Sequence, residues 1–164
     1  MNFIVKRPSD CTDAELTQFH ALVASGGEVA IDGLRERIEE AHSLGFCFDG
    51  PRLVGVVGLK RPEAEYKRDL FDKAGTTIEP DEFLEIGWAY TEVAYRRQGI
   101  ASTLFGMLLA EADTPVFATA RIHNDTSRRI LARCGFSGEG QPYAGRTSQI
   151  VLYVRRIDET LLCD

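Results

Sequence analysis

The order of strands and helices constrains the fold of this chain more than any other feature of its sequence. Phe46 and Phe48 alternate before an Asp49-Gly50 turn and an apolar segment over residues 53–59, which predicts an antiparallel hairpin. The second half instead predicts alternating strands and helices, over residues 83–91, 101–112, 116–120 and 126–134. Together these patterns predict a mixed, mostly antiparallel sheet flanked by helices, of the α/β (α+β) class.

Other segments are predicted to complete this sheet and its helices. Thr12 and Glu15 have the spacing of a capping box, which predicts that a helix begins there. The remaining expected elements are a strand over 2–5, a second helix from about residue 33, a short strand near 136 and a closing strand around 150–154.

Residues 61–82 form a charge-rich segment that contains Pro62, Gly75 and Pro80. A short helix is predicted within it, over residues 66–74. Because both flanking strands fit one sheet, the segment is interpreted as an excursion on the surface rather than as a linker.

Size and charge narrow the class of protein. The 164 residues fit one domain over 1–164, and 44% hydrophobic with 27% charged residues is typical of a soluble globular protein. No apolar run approaches the roughly 18 residues of a membrane span, and the N-terminus lacks the pattern of a signal peptide. A cytoplasmic location with no membrane partner is therefore expected. The net charge of −6 argues against a nucleic-acid partner. It suits an amine-bearing partner, and it equally fits a charge that serves only solubility.

The cysteines give no sign of a metal site or a disulfide framework. Cys11, Cys47, Cys134 and Cys163 are irregularly spaced and form no CxxC pair. We expect them to be reduced thiols, with no bound metal.

The turn between the strand over 83–91 and the helix over 101–112 has the composition of an anion site. It reads Arg96-Arg97-Gln98-Gly99-Ile100-Ala101. The first four N–H groups of a helix have no partner within it, and the helix dipole adds roughly half a positive charge there. Gly99 permits positive φ or close approach of the backbone to a phosphate. The turn therefore favours a pyrophosphate-like ligand, although neither a Walker nor a dinucleotide-binding glycine motif is present.

Two sequence motifs resemble those of the GNAT superfamily of N-acetyltransferases. The arginine-rich turn is similar to the R/Q-x-x-G-x-G/A motif of that superfamily. Further along, Asn124, Ser127, Gly135 and Phe136 resemble its second motif, N-x-x-[AS]-x(7)-G-F. The resemblance is strongest over 45–155 and implies the GNAT fold, with transfer of an acetyl group from acetyl-CoA to a primary amine by direct attack.

The resemblance also implies which residues bind acetyl-CoA as cosubstrate. The pyrophosphate would be held by Gln98, Gly99, Ile100, Ala101 and Ser102, with positive charge from Arg96 and Arg97. Thr91 and Val93 would pair with the pantetheine arm where the two central strands splay apart. Asn124 and Ser127 would contact the far side of the cofactor.

Two residues are candidates for the base that deprotonates the amine. Glu85 lies among apolar neighbours in the strand over 83–91, where burial makes a carboxylate a stronger base. Its position before the turn also resembles that of the catalytic glutamate in the histone-acetylating branch. His123 is the second candidate, since histidine titrates near neutral pH. Ordinary structural roles stay open for both residues.

The proton donor for the leaving thiolate is left unassigned by the sequence. Many family members place a tyrosine in the second-motif helix, where this chain has Leu131. Tyr143, expected in a loop before the last strand, is the candidate substitute, with Tyr153 and Tyr90 as alternatives. Cys134 could have its pKa depressed by Arg133, but it is interpreted as a structural thiol.

The sequence does not identify the acceptor amine. A small molecule or a peptide is expected, and a homodimer is compatible with the family. Two other functions stay open: a non-catalytic module that senses acetyl-CoA, and an interaction domain that docks a protein through residues 61–82.

Overall fold

The computed structural model describes residues 1–157 and contains seven strands and five α-helices over that range. The strands are β1 (Asn2–Lys6), β2 (Ser43–Asp49), β3 (Arg52–Lys60), β4 (Leu84–Thr91), β5 (Val116–Arg121), β6 (Ser137–Ala144) and β7 (Gln149–Arg155). The helices are α1 (Asp13–Ser25), α2 (Leu34–Glu39), α3 (Ala64–Ala74), α4 (Ile100–Ala110) and α5 (Asp125–Arg133). Short 3-10 turns lie at Pro8–Asp10 and Val93–Tyr95.

All seven strands belong to one mixed sheet, in the order β1-β2-β3-β4-β5-β7-β6. The pairs β1/β2, β2/β3, β5/β7 and β6/β7 are antiparallel. β4 and β5 pair in parallel, at Leu84 with Val116 and at Glu85 with Phe117. The predicted fold class, a mostly antiparallel mixed sheet flanked by helices, is therefore confirmed.

Contacts along the chain divide it into two compact units. The first unit comprises residues 1–61 and 86–111, and the second comprises residues 62–85 and the chain from 112 onward. Strand β4 contributes its first two residues to the second unit and the rest to the first. That residues 1–164 form a single domain stays a prediction.

The first unit has a core of helix faces packed against β2, β3 and β4. The predicted capping box is confirmed: the Glu15 N–H donates to Thr12 Oγ1 (3.1 Å), and the Thr12 N–H donates to Glu15 Oε1 (3.2 Å). The box sets the start of α1 and so directs Phe19 inward, where it is fully buried and meets Phe46 edge-on at 5.4 Å between ring centroids. Such aromatic pairs add about 0.5–1.5 kcal/mol to the burial term.

The second unit has a separate core in which α3 takes part. Leu70, Phe71 and Ala74 of α3 are buried together with Phe83 and Phe117. The predicted short helix is thus confirmed, and one of its faces packs into a core while most of residues 61–82 stay exposed. Every third or fourth residue from Lys67 onward is apolar or buried, and this spacing gives α3 an inward face that a charge count over residues 61–82 conceals.

Lys67, the first residue of this inward face, connects α3 by hydrogen bonds to the segment just before β4. Lys67 is only 6% exposed, and its Nζ donates to the carbonyl oxygens of Asp81 (2.7 Å) and Phe83 (3.2 Å). Burial lowers the pKa of Lys67, which is the expected response of an ammonium ion removed from water. Two carbonyl acceptors compensate for part of that cost.

The structure also bears on several smaller predictions made from the sequence. Cys11, Cys47 and Cys134 are free thiols, and Cys163 lies outside the described residues. Burial raises the pKa of Cys134, which is the direction expected for the structural thiol that the sequence predicts. Within residues 1–157 no helix combines the length and apolar character needed to cross a membrane.

Candidate functional site

The turn that precedes α4 is built from an unusual backbone. Arg97 (φ 64°) and Gly99 (φ 76°) both adopt the left-handed conformation, and Gly99 is the N-cap of α4. No side chain caps this helix, whose first turn is closed by the Thr103 N–H donating to the Gly99 carbonyl at 3.0 Å. A Cβ on Gly99 would have no atom within 4 Å, so the space beside this residue is open. The residues present fit a phosphate group bound by backbone N–H groups.

The two arginines of the turn have different roles. Arg96 donates from Nε to the carbonyl of Thr91 (2.9 Å), and its guanidinium lies over the ring of Tyr90, 5.6 Å from the centroid. Arg96 therefore stabilises the end of β4. Arg97 is exposed and has a left-handed backbone, which costs a residue with a side chain roughly 1–2 kcal/mol. Strain of this kind concentrates at functional sites.

Thr91 and Val93 have different backbone conformations. Thr91 is the last residue of β4, whereas Val93 begins the 3-10 turn and is 72% exposed. Val93 therefore lacks the extended conformation that strand-like pairing requires. Thr91 has the backbone that such pairing needs, and contact of Thr91 or Val93 with the pantetheine arm stays a prediction.

The left-handed backbone at Trp88 is a feature of β4 that sequence reasoning missed. Its φ of 56° is a backbone outlier for a bulky residue, because the left-handed region crowds its Cβ. The ring is held on two sides: Phe19 meets it edge-on at 6.2 Å, and Lys60 Nζ lies 5.0 Å from the ring centroid. Packing of the ring thus compensates for an irregular strand just ahead of the turn. The apolar run in the sequence predicts a regular strand and gives no signal of this irregularity.

The second motif has a direct structural meaning as the two ends of α5. Asn124 is the N-cap, and its Oδ1 accepts from the Ser127 N–H at 3.1 Å. At the other end Gly135 (φ 86°) forms a Schellman motif, in which the Phe136 N–H donates to the Leu131 carbonyl at 3.0 Å. The motif therefore fixes where α5 begins and ends. Cofactor contact by Asn124 and Ser127 stays a prediction.

Glu85 is the most buried acidic side chain described, with 3% of its surface exposed. Its Oε2 accepts a 2.9 Å hydrogen bond from the hydroxyl of Tyr66, which lies on α3. Sequence reasoning placed Glu85 among the site residues and missed Tyr66, whose only signal is an aromatic residue among charged ones. The carboxylate is therefore held in an apolar setting by a tyrosine from the next element upstream.

Tyr143 belongs to the same part of the second unit. It lies in β6 opposite Ile150 and is half-buried against the core, so its predicted position in a loop is wrong. Glycine-rich and proline-containing sequence gave β6 the pattern of a loop, but pairing with β7 overrides it. Burial, and then the charges of Glu85 and Asp69, raise the pKa of Tyr143 to about 12.

His123 and Leu131 occupy contrasting positions around α5. His123 is exposed in the turn between β5 and α5. Leu131 is 2% exposed and is a core residue, so the family's tyrosine position is occupied here by a packing side chain. Among the predicted catalytic residues, the charge of Glu85 contributes to the raised pKa of Tyr143.

Comparison with family models shows the class of protein. The model of the acetyltransferase (GNAT) domain matches residues 9–137, and the chain belongs to this family. The match begins before the region of strongest resemblance and so takes in α1 and α2. A comparison with curated proteins found no significant match.

Solved structures show the same fold at low sequence identity. An acyl-CoA N-acyltransferase from Pseudomonas aeruginosa is 18% identical, with 94% of this chain and 98% of that chain covered at a TM-score of 0.67. NAA60 of Arabidopsis thaliana, solved in complex with acetyl-CoA, is 16% identical, with 95% and 100% covered at 0.69. A ribosomal-protein-alanine N-acetyltransferase from Brucella melitensis is 17% identical, with 94% and 99% covered at 0.66.

Proposed function

We propose that this protein is an acetyl-CoA-dependent N-acetyltransferase that acts on a primary amine. The observation that carries the proposal is the uncapped start of α4 behind two left-handed residues, Arg97 and Gly99. Membership of the acetyltransferase family and the fold shared with an acetyl-CoA complex support the same assignment.

The turn would bind the pyrophosphate through its backbone. The N–H groups of Gln98, Gly99, Ile100 and Ala101, with the Ser102 hydroxyl, are the proposed donors. Ile100 is buried, and its Cγ2 would be 2.6 Å from a Cβ on Gly55, so the helix start is packed closely onto β3. This packing fixes the direction of the donors before a ligand arrives, which reduces the entropy lost on binding.

Acetyl-CoA would supply an activated acetyl group, and the chain would supply a means of removing a proton from the acceptor. A lysine-like ammonium costs about 4.6 kcal/mol to deprotonate at pH 7, and an α-ammonium costs about 1.4 kcal/mol. The amine nitrogen forms a bond to the acetyl carbon, the bond from that carbon to sulfur breaks, and the ammonium proton leaves to a base. Glu85 is the proposed base, because it is a buried carboxylate in an apolar strand.

Tyr143 is better suited to donate a hydrogen bond than to give up its proton. Its pKa of about 12 lies far above the roughly 8.5 of an ordinary thiol, so a leaving thiolate would not take its proton. We therefore assign it no proton transfer. The thiolate would take a proton from water or from the acceptor itself.

Acetyl-CoA binding measured by calorimetry tests the proposal, with Gly99→Val as the variant. A β-branched residue disfavours positive φ and fills the open side of the turn, so we expect affinity to fall at least tenfold, roughly 1.4 kcal/mol or more. Gly27→Val is the matched control, because Gly27 has a similar φ of 72° and equally open surroundings at the end of α1.

Two results would contradict the proposal. One is an absence of binding to the unmodified protein at millimolar acetyl-CoA. The other is an affinity for acetyl-CoA that is the same in folded Gly99→Val and folded Gly27→Val, which would show that the backbone at Gly99 has no special role in binding. Release of free CoA thiol with a panel of amines then separates transfer from binding alone.

A further inference from the structure

Two residues at the tip of the β2–β3 hairpin contact the segment that leads into the proposed phosphate site. Asp49 ends β2 and Arg52 begins β3, and the two pair across the hairpin turn. The Tyr95 hydroxyl donates to Asp49 Oδ2 at 2.7 Å. Arg52 Nη2 donates to Glu92 Oε2 at 2.6 Å. These four residues form what we call the hairpin contact, which joins positions 46 and 40 residues apart in the chain.

The side chain of Arg52 links the two halves of the hairpin contact. While it bonds Glu92, its guanidinium carbon also lies 5.9 Å from the centroid of the Tyr95 ring. The backbone joins β3 nearby, since the Glu92 N–H donates to the Val54 carbonyl at 2.9 Å. The start of the segment is therefore held by a backbone hydrogen bond, an ion pair and a tyrosine hydroxyl.

The hairpin contact lies directly before the residues proposed to bind pyrophosphate. The Tyr95 N–H donates to the Glu92 carbonyl at 2.9 Å, which closes the 3-10 turn. Arg97 and Gly99 follow, and both are exposed and left-handed. Ile100, which begins α4, is buried. The left-handed residues thus lie between two fixed points, the hairpin contact and the buried start of the helix.

The left-handed backbone at Arg97 needs support from the surrounding structure. A residue with a side chain adopts this conformation only at a cost in free energy, so contacts elsewhere must compensate for it. Arg96 bonds back to Thr91 within the same segment, whereas Tyr95 reaches a different element, β2. Loss of the hairpin contact would therefore release the segment from β2 and weaken the support for the turn.

On the basis of the proposed function, we propose that Asp49 and Tyr95 are positioning residues for acetyl-CoA. In this role the hairpin contact keeps residues 97–99 in the conformation that binds the pyrophosphate. Asp49 acts through Tyr95 and not on the ligand, because a carboxylate repels a phosphate. Apparent affinity then follows the fraction of molecules in which the turn has this conformation.

The charge of Asp49 separates positioning from electrostatics. Asp49→Ala removes a negative charge near an anion site, and on charge alone it would tighten acetyl-CoA binding. Positioning predicts weaker binding, because the acceptor for the Tyr95 hydroxyl is lost. Asp49→Asn removes the charge but keeps an acceptor oxygen. Tyr95→Phe leaves the charge unchanged, because the hydrogen bond to Asp49 raises the pKa of Tyr95 and its hydroxyl stays protonated.

Calorimetry with acetyl-CoA on the full chain tests the proposal. We expect Asp49→Ala and Tyr95→Phe to weaken binding about threefold to tenfold, and Asp49→Asn to stay within about twofold of the unmodified protein. The loss should persist at high salt, where effects of charge alone are screened. Binding by Asp49→Ala that equals or exceeds that of the unmodified protein would overturn the proposal.

Asp13→Ala is the matched control. Asp13 also accepts a 2.7 Å hydrogen bond in the first unit, from Arg35, and its side chain is exposed. The same replacement therefore removes a bond of the same length away from the turn. Urea unfolding should show a similar small loss of stability in Asp13→Ala and Asp49→Ala, while acetyl-CoA affinity falls only in the second. An equal fall in affinity in both variants would overturn the proposal.

Nuclear magnetic relaxation of the backbone nitrogens measures the order of the turn without any ligand. In the unmodified protein and in Asp13→Ala, order parameters over residues 97–99 should be near the roughly 0.85 of rigid backbone. In Asp49→Ala and Tyr95→Phe they should fall below about 0.6. Order parameters that stay high in both variants would overturn the proposal.

The two measurements separate this inference from the proposed function. Loss of order in the turn together with weaker acetyl-CoA binding supports the inference. Unchanged affinity in Asp49→Ala and Tyr95→Phe overturns the inference and leaves the proposed function standing. Absence of acetyl-CoA binding by the unmodified protein overturns the proposed function, and the relaxation data then decide whether the hairpin contact orders the turn.

Discussion

The turn before α4, which we propose as the phosphate site, and the pair of Tyr66 and Glu85, which includes the proposed base, are built in different ways. The turn is built from backbone: its distinguishing features are the φ angles of Arg97 and Gly99 and the uncapped N–H groups that follow. The second region is built from side chains: Tyr66 on α3 donates a hydrogen bond from its hydroxyl to Glu85 Oε2 on β4. A backbone site tolerates most side-chain changes and fails when its conformation changes. A side-chain site fails when one functional group is replaced.

The largest expected effect comes from replacing the functional group of Glu85, the proposed base. Glu85→Gln keeps the shape and the hydrogen-bonding capacity of the side chain but removes the base, so we expect kcat to fall by about 10²–10⁴. Acetyl-CoA affinity, measured by calorimetry, should stay within about twofold because the donors of the turn are unchanged.

Glu139→Gln provides the control for that variant. Glu139 also lies in the second unit and accepts a hydrogen bond at 3.0 Å, from Thr76. The kcat of the Glu139→Gln variant should stay within about threefold of that of the unmodified protein. An equal loss in both variants would show that the carboxylate at 85 has no special role.

A second prediction tests how much the first unit depends on backbone geometry near the turn. A Cβ on Gly58 would overlap the ring of Trp88, so Gly58→Ala should destabilise the protein by about 1–3 kcal/mol. Gly106→Ala, in α4 with no neighbour within 4 Å, should instead stabilise it by about 0.5–1 kcal/mol. Urea unfolding of both variants measures this difference, and two changes of the same sign would contradict it.

A third prediction separates backbone from charge within the turn. Arg97→Gly and Arg97→Ala both remove the guanidinium, but only glycine adopts a φ of 64° without strain. The glycine variant should be the more stable by about 1 kcal/mol. Both should bind acetyl-CoA only a few-fold more weakly in low salt, about 0.5–1 kcal/mol, if backbone donors dominate. A loss of more than about a hundredfold in both would show instead that the side chain dominates.

The smallest expected effect lies outside both regions and sets a baseline. The hydrogen bond from Lys6 lowers the pKa of Glu15 below its usual 4.5. The unfolded state therefore binds the proton first, and this stabilisation is present above about pH 4.5 and is lost as the pH falls through the folded-state value. Glu15→Gln should cost about 0.5 kcal/mol at pH 7 and nothing once the carboxylate would be protonated. Urea unfolding of the unmodified protein and of Glu15→Gln, at pH 7 and at a pH below the folded-state pKa of Glu15, checks this. A cost in stability that does not change with pH would contradict it.

The sequence predicted the fold and the turn because both depend on local patterns. Alternating apolar residues, a tight turn and a glycine before an apolar helix are patterns that each span only a few residues. Tyr66 and the true position of Tyr143 could not be read in this way, because each depends on contacts between segments distant in the chain. Trp88 was missed for a related reason: its left-handed backbone is compensated by packing against Phe19 and Lys60, and packing leaves no local signature.

Trp88 also gives the protein a built-in optical reporter. It is the only tryptophan in the chain, and it lies buried in the first unit. Its emission therefore reports on that unit alone, with no label added, and should shift to longer wavelength as the ring becomes hydrated. The five tyrosines lie in both units, Tyr90 and Tyr95 in the first and Tyr66, Tyr143 and Tyr153 in the second, so their absorbance reports on both. Following the two signals through one denaturation would show whether the first unit loses its structure at the same point as the tyrosines of both units.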